Sequence, residues 1–136
     1  MSSAKGFTKE EKAAMRARAK ELKAAEDGET AVKESLAAMT PKDRAIGKRI
    51  HELVKESAPD LVPKTWYGMP AYANKDGKVV LYFRNAGKFK ERYSMLGFNE
   101  AANLDEGAFW PVAYALPALK KSDETKIKAL VKQAAS

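Results

Sequence analysis

Asn74-Lys75-Asp76-Gly77-Lys78-Val79-Val80-Leu81-Tyr82-Phe83 is the stretch that decides the fold class. Asp76-Gly77 supplies cheaply the positive φ of a type I′ hairpin turn, and a strand leaves it directly. That strand is apolar on both sides, which predicts a central position covered on both faces. Upstream, Pro63 to Tyr67 and Pro70 to Asn74 read as short extended segments. Downstream, Arg92 to Phe98 and Phe109 to Leu116 read as two more strands.

Before Leu61 the period is helical instead. Thr8-Lys9-Glu10-Glu11 fits a capping box, and Lys9 to about Ala25 is rich in good helix formers. Its only large apolar residues are Met15 and Leu22, so this helix is expected to dock lightly, with residues 1–6 frayed. Asp27-Gly28 is expected to end it. A second short helix, Glu29 to Met39, then carries Val32, Leu36 and Met39 on one face. Thr40-Pro41 caps a third helix, with Ile46, Ile50, Leu53 and Val54 on its buried face and Pro59 as its stop. Ser122-Asp123-Glu124 opens a last helix that buries Ile127, Leu130, Val131 and Ala134. Helices first, then a strand meander, then a helix give an α+β fold: an antiparallel sheet of about five strands covered by helices.

Composition narrows the function classes. The chain has 136 residues, no cysteine and one histidine. Thiol chemistry, disulfides and any site needing two imidazoles are excluded. No apolar run is long enough to cross a membrane, and the chain reads as a cytoplasmic monomer. The net charge of +7 is spread along the chain, with no Lys/Arg block, so it reads as a solubility device and not as a nucleic-acid footprint. Lys88-Phe89-Lys90-Glu91-Arg92-Tyr93 does interleave basic and aromatic side chains, the pattern of a single-stranded nucleic-acid platform. Lysine protection of a sheet edge accounts for it more simply. No hydrolase, phosphate-loop, zinc or dinucleotide motif is present, so no catalytic residue and no cofactor is assigned. His51 reads as a half-exposed helical histidine without a carboxylate to orient it.

Trp66-Tyr67-Gly68-Met69-Pro70-Ala71-Tyr72 is the candidate binding motif. Three aromatics around a Gly and a Pro predict a rigid bend with an aromatic wall, Gly68 taking positive φ. Trp66, Tyr67, Gly68, Met69, Pro70 and Tyr72, with Trp110, would line a groove. Arg84 and Arg92 would anchor a small anionic or aromatic ligand, or an acidic protein segment, at its rim.

This motif, the hairpin after it, and the segments Arg92 to Phe98, Asn103 to Gly107 and Trp110 to Tyr114 resemble the YdhG-like family, a catalogued domain of unknown function. The resemblance covers roughly residues 41–134 and leaves 1–40 as a helical arm. It implies a small curved antiparallel sheet covered by helices. Some members of that family are described as frataxin-like iron chaperones, which present an acidic helical ridge. Here residues 1–25 carry seven basic side chains against three acids, which would repel a cation. No metal ligand is therefore assigned. The expectation is a non-catalytic binding domain, with the iron chaperone and the single-stranded nucleic-acid binder as alternatives.

Overall fold

The computed structural model describes residues 8–136, so the expected fraying of residues 1–6 lies outside the described part. Among the described residues the elements are α1 (Lys9–Ala37), α2 (Pro41–Ser57), β1 (Val62–Trp66), β2 (Met69–Ala73), β3 (Val79–Arg84), α3 (Ala86–Phe89), β4 (Ser94–Phe98), β5 (Ala113–Leu116) and α4 (Lys121–Ala135). The five strands form one antiparallel meander in the order β1-β2-β3-β4-β5. The fold is α+β, as the change of period at residue 61 requires. Among the described residues no helix is long and apolar enough to cross a membrane.

The first two expected helices are one. Asp27-Gly28 does not end α1, which runs unbroken for 29 residues. Gly28 serves a different purpose: its missing side chain lets the helix lie against the Pro63 carbonyl of β1, where a Cβ would collide. Seven residues on, the Ser35 hydroxyl donates to the Gly68 carbonyl at 2.8 Å. Residues 28–35 thus run along the outer edge of β1 and cover a strand that would otherwise present unpaired backbone. Burial changes inside this helix, not at residue 40. Residues 8–24 are exposed throughout, whereas Val32, Leu36 and Met39 belong to the core.

Register decides which side chains face the helices. Tyr72 pairs with Leu81 and Leu81 with Phe98, while Phe83 pairs with Leu96 and Leu96 with Tyr114. These residues form the inner face, against Ile46, Ile50, Leu53 and Val54 of α2 and Ile127 and Val131 of α4. An Arg49–Glu124 ion pair, bonded through two nitrogens, joins the outer sides of α2 and α4. β3 is central, as expected, but its second face is only half covered. There Tyr82 lies across Gly97, whose Cβ would strike the phenol ring, and Trp66 packs on Tyr82 at 5.2 Å between ring centroids.

Two turn details depart from expectation. The Asn74–Lys78 turn is not type I′: the Gly77 amide bonds the Asn74 carbonyl, and Gly77, not Asp76, takes positive φ. Asn74 Oδ1 stabilises it by accepting the amides of Asp76 and Lys78 at 3.0 and 3.1 Å. At the start of α4 the cap position is Lys120, and the Asp123 carboxylate accepts its amide, so Ser122 already lies inside the helix.

Gly28 yields a test with an unusual sign. Alanine is the better helix former by about 1 kcal/mol, yet Gly28→Ala is expected to destabilise the protein by about 1–3 kcal/mol through the clash with β1. Ala24→Gly, four residues earlier in the exposed part, is expected to cost about 0.5–1 kcal/mol by helix propensity alone. Urea melts of both variants check the order; a stabilised Gly28→Ala would show that the helix does not rest on β1.

Candidate functional site

Trp66 pairs with Met69, so β1 and β2 are joined by two residues only. Both lie at positive φ, Tyr67 at 52° and Gly68 at 75°, which is the signature of a type I′ turn. Gly68 adopts this conformation freely, as its place in the motif predicts. Tyr67 does not, and an L side chain there costs about 1–2 kcal/mol. Two outside donors hold the strained turn. Lys88 Nζ donates to the Tyr67 carbonyl at 2.8 Å, and Ser35 holds the Gly68 carbonyl. The Tyr67 ring meets Trp66 edge-on at 4.9 Å but remains 77% exposed.

Behind this turn lies a cleft of about 370 Å³, lined by Ser35, Met39, Thr40, Gly68, Asn85 and Lys88 among others. A polar network fixes its far wall. The buried Asp43 carboxylate accepts the Gly87 amide at 2.9 Å and the Ser94 hydroxyl at 3.4 Å. Ser94 in turn accepts the Ala86 amide at 2.9 Å. The short helix α3 is thereby pinned to the start of α2. Asn85 just before α3 is only 4% exposed, and its Oδ1 is buried with no hydrogen-bond partner.

The residues expected to share one groove are divided by the two-residue period of β2. Trp66 and Met69 lie on the half-open face with Tyr82, whereas Pro70 and Tyr72 point to the helices, Tyr72 being buried in the core. Gly68 is the member of that set that lines the cleft at the turn. Arg84 is engaged: it bonds Glu91 through two nitrogens at 2.7 and 3.3 Å and stacks over Phe89 at 3.8 Å. Arg92 lies over Tyr93, and Trp110 is half buried against the core far along the chain from the turn. Ser35, Asn85 and Lys88 were not foreseen as ligand-facing. Ser35 comes from α1, and Asn85 and Lys88 from α3 and its cap, so the cleft they line joins two distant segments and has no local signature.

His51 overturns its expected character. It is 7% exposed, and both ring nitrogens are occupied. Nε2 lies 2.7 Å from Glu29 Oε1, and Nδ1 lies 2.8 Å from the Tyr72 hydroxyl. Lys55 also donates to Glu29 Oε1, at 2.8 Å. With Nε2–H directed at the carboxylate, Nδ1 accepts the phenol proton, and the chain of hydrogen bonds is complete. The sequence alone hides the orienting carboxylate, because Asp27-Gly28 reads as a helix end. With α1 continuous, Ala25, Glu29, Val32 and Leu36 share one face. Burial opposes ionisation of Glu29, but the hydrogen bonds from His51 and Lys55, with the Lys55 charge, outweigh it and hold its pKa below the usual carboxylate value. Burial, with the Glu29 charge adding to it, pushes the Tyr72 phenol far above its ordinary range. Every member has its partners, and the arrangement acts as a clamp between α1, α2 and β2. Among the described residues no three His, Cys, Asp or Glu side chains gather as a metal-binding group.

The clamp has an acid limb of known sign. Glu29 is more acidic in the folded chain, so the stability it contributes is present above the unfolded value of about 4.5 and is lost as pH falls through the folded value. Wild type is therefore expected to lose more stability than Glu29→Gln between neutral pH and pH of about 3. Tyr72→Phe, which leaves Nδ1 buried and unpartnered, is expected to cost about 1–3 kcal/mol at neutral pH. Denaturant melts across pH check both; parallel curves for wild type and Glu29→Gln would contradict the assignment.

Comparison of the chain with family models, curated proteins and solved structures gives no match.

Proposed function

We propose that the protein is a non-catalytic binding domain of the YdhG-like type, and that its ligand enters the cleft behind the Tyr67-Gly68 turn. The observation that carries this reading is Asn85, a residue that lines the open cleft and whose Oδ1 is buried without a donor. A buried acceptor left unpaired costs about 1–3 kcal/mol, a cost that a ligand donor removes. Lys88 adds the second requirement. Its ammonium has three donors, one of them used on the Tyr67 carbonyl, so an anionic group fits beside it. Thr40 keeps its hydroxyl proton free, since its oxygen accepts the Asp43 amide.

These groups describe a ligand as well as a site. It is small, carries a carboxylate or similar anion, and has an O–H or N–H donor close by. A volume of about 370 Å³ is at the lower end of the small-molecule range, which suits a hydroxy acid or amino acid. Tyr67, next to Gly68 and held at positive φ by the same lysine, keeps its ring exposed; strain maintained at an exposed aromatic is typical of a functional position.

An NMR titration with glycolate, glycine and acetate tests the reading. Glycolate or glycine is expected to shift the Asn85 side-chain amide and the Gly68 and Gly87 backbone amides, with acetate, which lacks the donor, binding more weakly. Asn85→Ala is expected to lose this binding while keeping or slightly raising stability, because it removes an unpaired buried group. Shifts confined to other surfaces, or identical titrations of Asn85→Ala, would defeat the proposal.

A further inference from the structure

The unbroken course of α1 creates a feature that the charge count along the chain conceals. Lys9, Lys12, Arg16, Lys20 and Lys23 recur every three or four residues of one helix. At about 100° of rotation per residue they fall within an arc of about 80°, and at 1.5 Å rise they span about 21 Å. Glu10, Glu11 and Glu21 fall on the opposite side of the helix, with Arg18, which pairs with Glu21 at 3.5 Å. Gly28, Val32 and Leu36, which seat α1 on the body, lie on that opposite side as well. The basic stripe therefore points away from the protein. All five cations are exposed, and Asp27, 3.9 Å from Lys23, marks the inner end of the stripe.

We propose that this stripe is a docking surface for duplex DNA, laid along the sugar-phosphate backbone without reading base sequence. Charge and shape both select this occupant. One cation per roughly 5 Å of a straight helix faces a duplex that carries one phosphate charge per roughly 3.4 Å of its axis on each strand, so each long cationic side chain has a phosphate within reach. Alanines at 13, 17, 19 and 24 flank the stripe and keep its face low, allowing close approach. The duplex is also rigid over this length, as the helix is. A bilayer is the poorer partner: a membrane-surface helix needs a broad apolar face, and Met15 and Leu22 are the only large apolar residues of this segment. The surface is separate from the cleft behind the Tyr67-Gly68 turn, and either assignment stands without the other.

Fluorescence anisotropy with a labelled DNA duplex of random sequence tests the proposal. Five phosphate contacts predict a slope of log K against log salt of about −4 to −5, or roughly 500-fold weaker binding on going from about 50 to about 200 mM salt. The variant Lys9→Gln, Lys12→Gln, Arg16→Gln, Lys20→Gln, Lys23→Gln keeps helix propensity, which circular dichroism verifies, and is expected to abolish binding. A control removes equal charge elsewhere: Lys75→Gln, Lys121→Gln, Lys126→Gln, Lys128→Gln, Lys132→Gln is expected to retain most of the affinity and the steep slope. Equal loss in both variants would reduce the effect to net charge and overturn the stripe. Absence of duplex binding at about 50 mM salt, tighter binding to the single strand, or binding only to phosphatidylserine vesicles would each overturn it too.

Discussion

A carboxylate, an imidazole and a phenol meet in the interior from three elements, and the placement of α1 depends on them. Glu29 loses solvation on folding, and that loss is recovered only when His51 and Lys55 both reach its oxygen. His51 in turn needs Tyr72 on its other nitrogen. Such networks contribute little net energy relative to an apolar core, but they penalise every arrangement that leaves a member unpaired. Rotation of α1 by one residue would remove Glu29 from His51 and put a side chain where Gly28 passes the Pro63 carbonyl. Two adjacent residues thus define both the angle and the distance at which the helix meets the sheet.

From that placement the rest follows in order. Ser35 is carried to the Gly68 carbonyl, which helps hold a turn containing a tyrosine at positive φ. The end of α1 and the start of α2 become one wall of the cleft, and the Asp43 network sets α3 as the other. In the opposite direction, residues 9–24 continue the same helix, exposed throughout, with the stripe of cations on the outer side. A clamp in the middle of one helix therefore relates two surfaces of different chemistry.

Much of this fold is legible in the residues because it is encoded locally. Thr40-Pro41 starts α2, Pro59 follows its end, and turn residues with short apolar runs place all five strands within a few residues of their observed positions. Gly68 at positive φ was likewise readable between two aromatics and a proline. What was not legible is what depends on contact between distant segments. Gly28 looks like a helix stop unless one knows that a strand passes beside it. His51 appears isolated because its carboxylate is 22 residues away and its phenol 21. The motif from Trp66 to Tyr72 looked like one wall, although its own two-residue alternation separates Met69 from Tyr72. Asn85 carries no signal of its own, since an unpaired amide oxygen becomes informative only when its burial is known.

Native-state hydrogen exchange measures the central claim directly, residue by residue along α1. With the clamp intact, amides 28–37 should exchange only with large-scale unfolding, while those of 9–25 should exchange much faster through local fraying. In Glu29→Gln, protection of 28–37 should fall well below that of α2 and β3, because the helix is released from a body that remains folded. Undiminished protection of 28–37 in that variant, or a break in protection at Asp27-Gly28 in the wild type, would contradict the account.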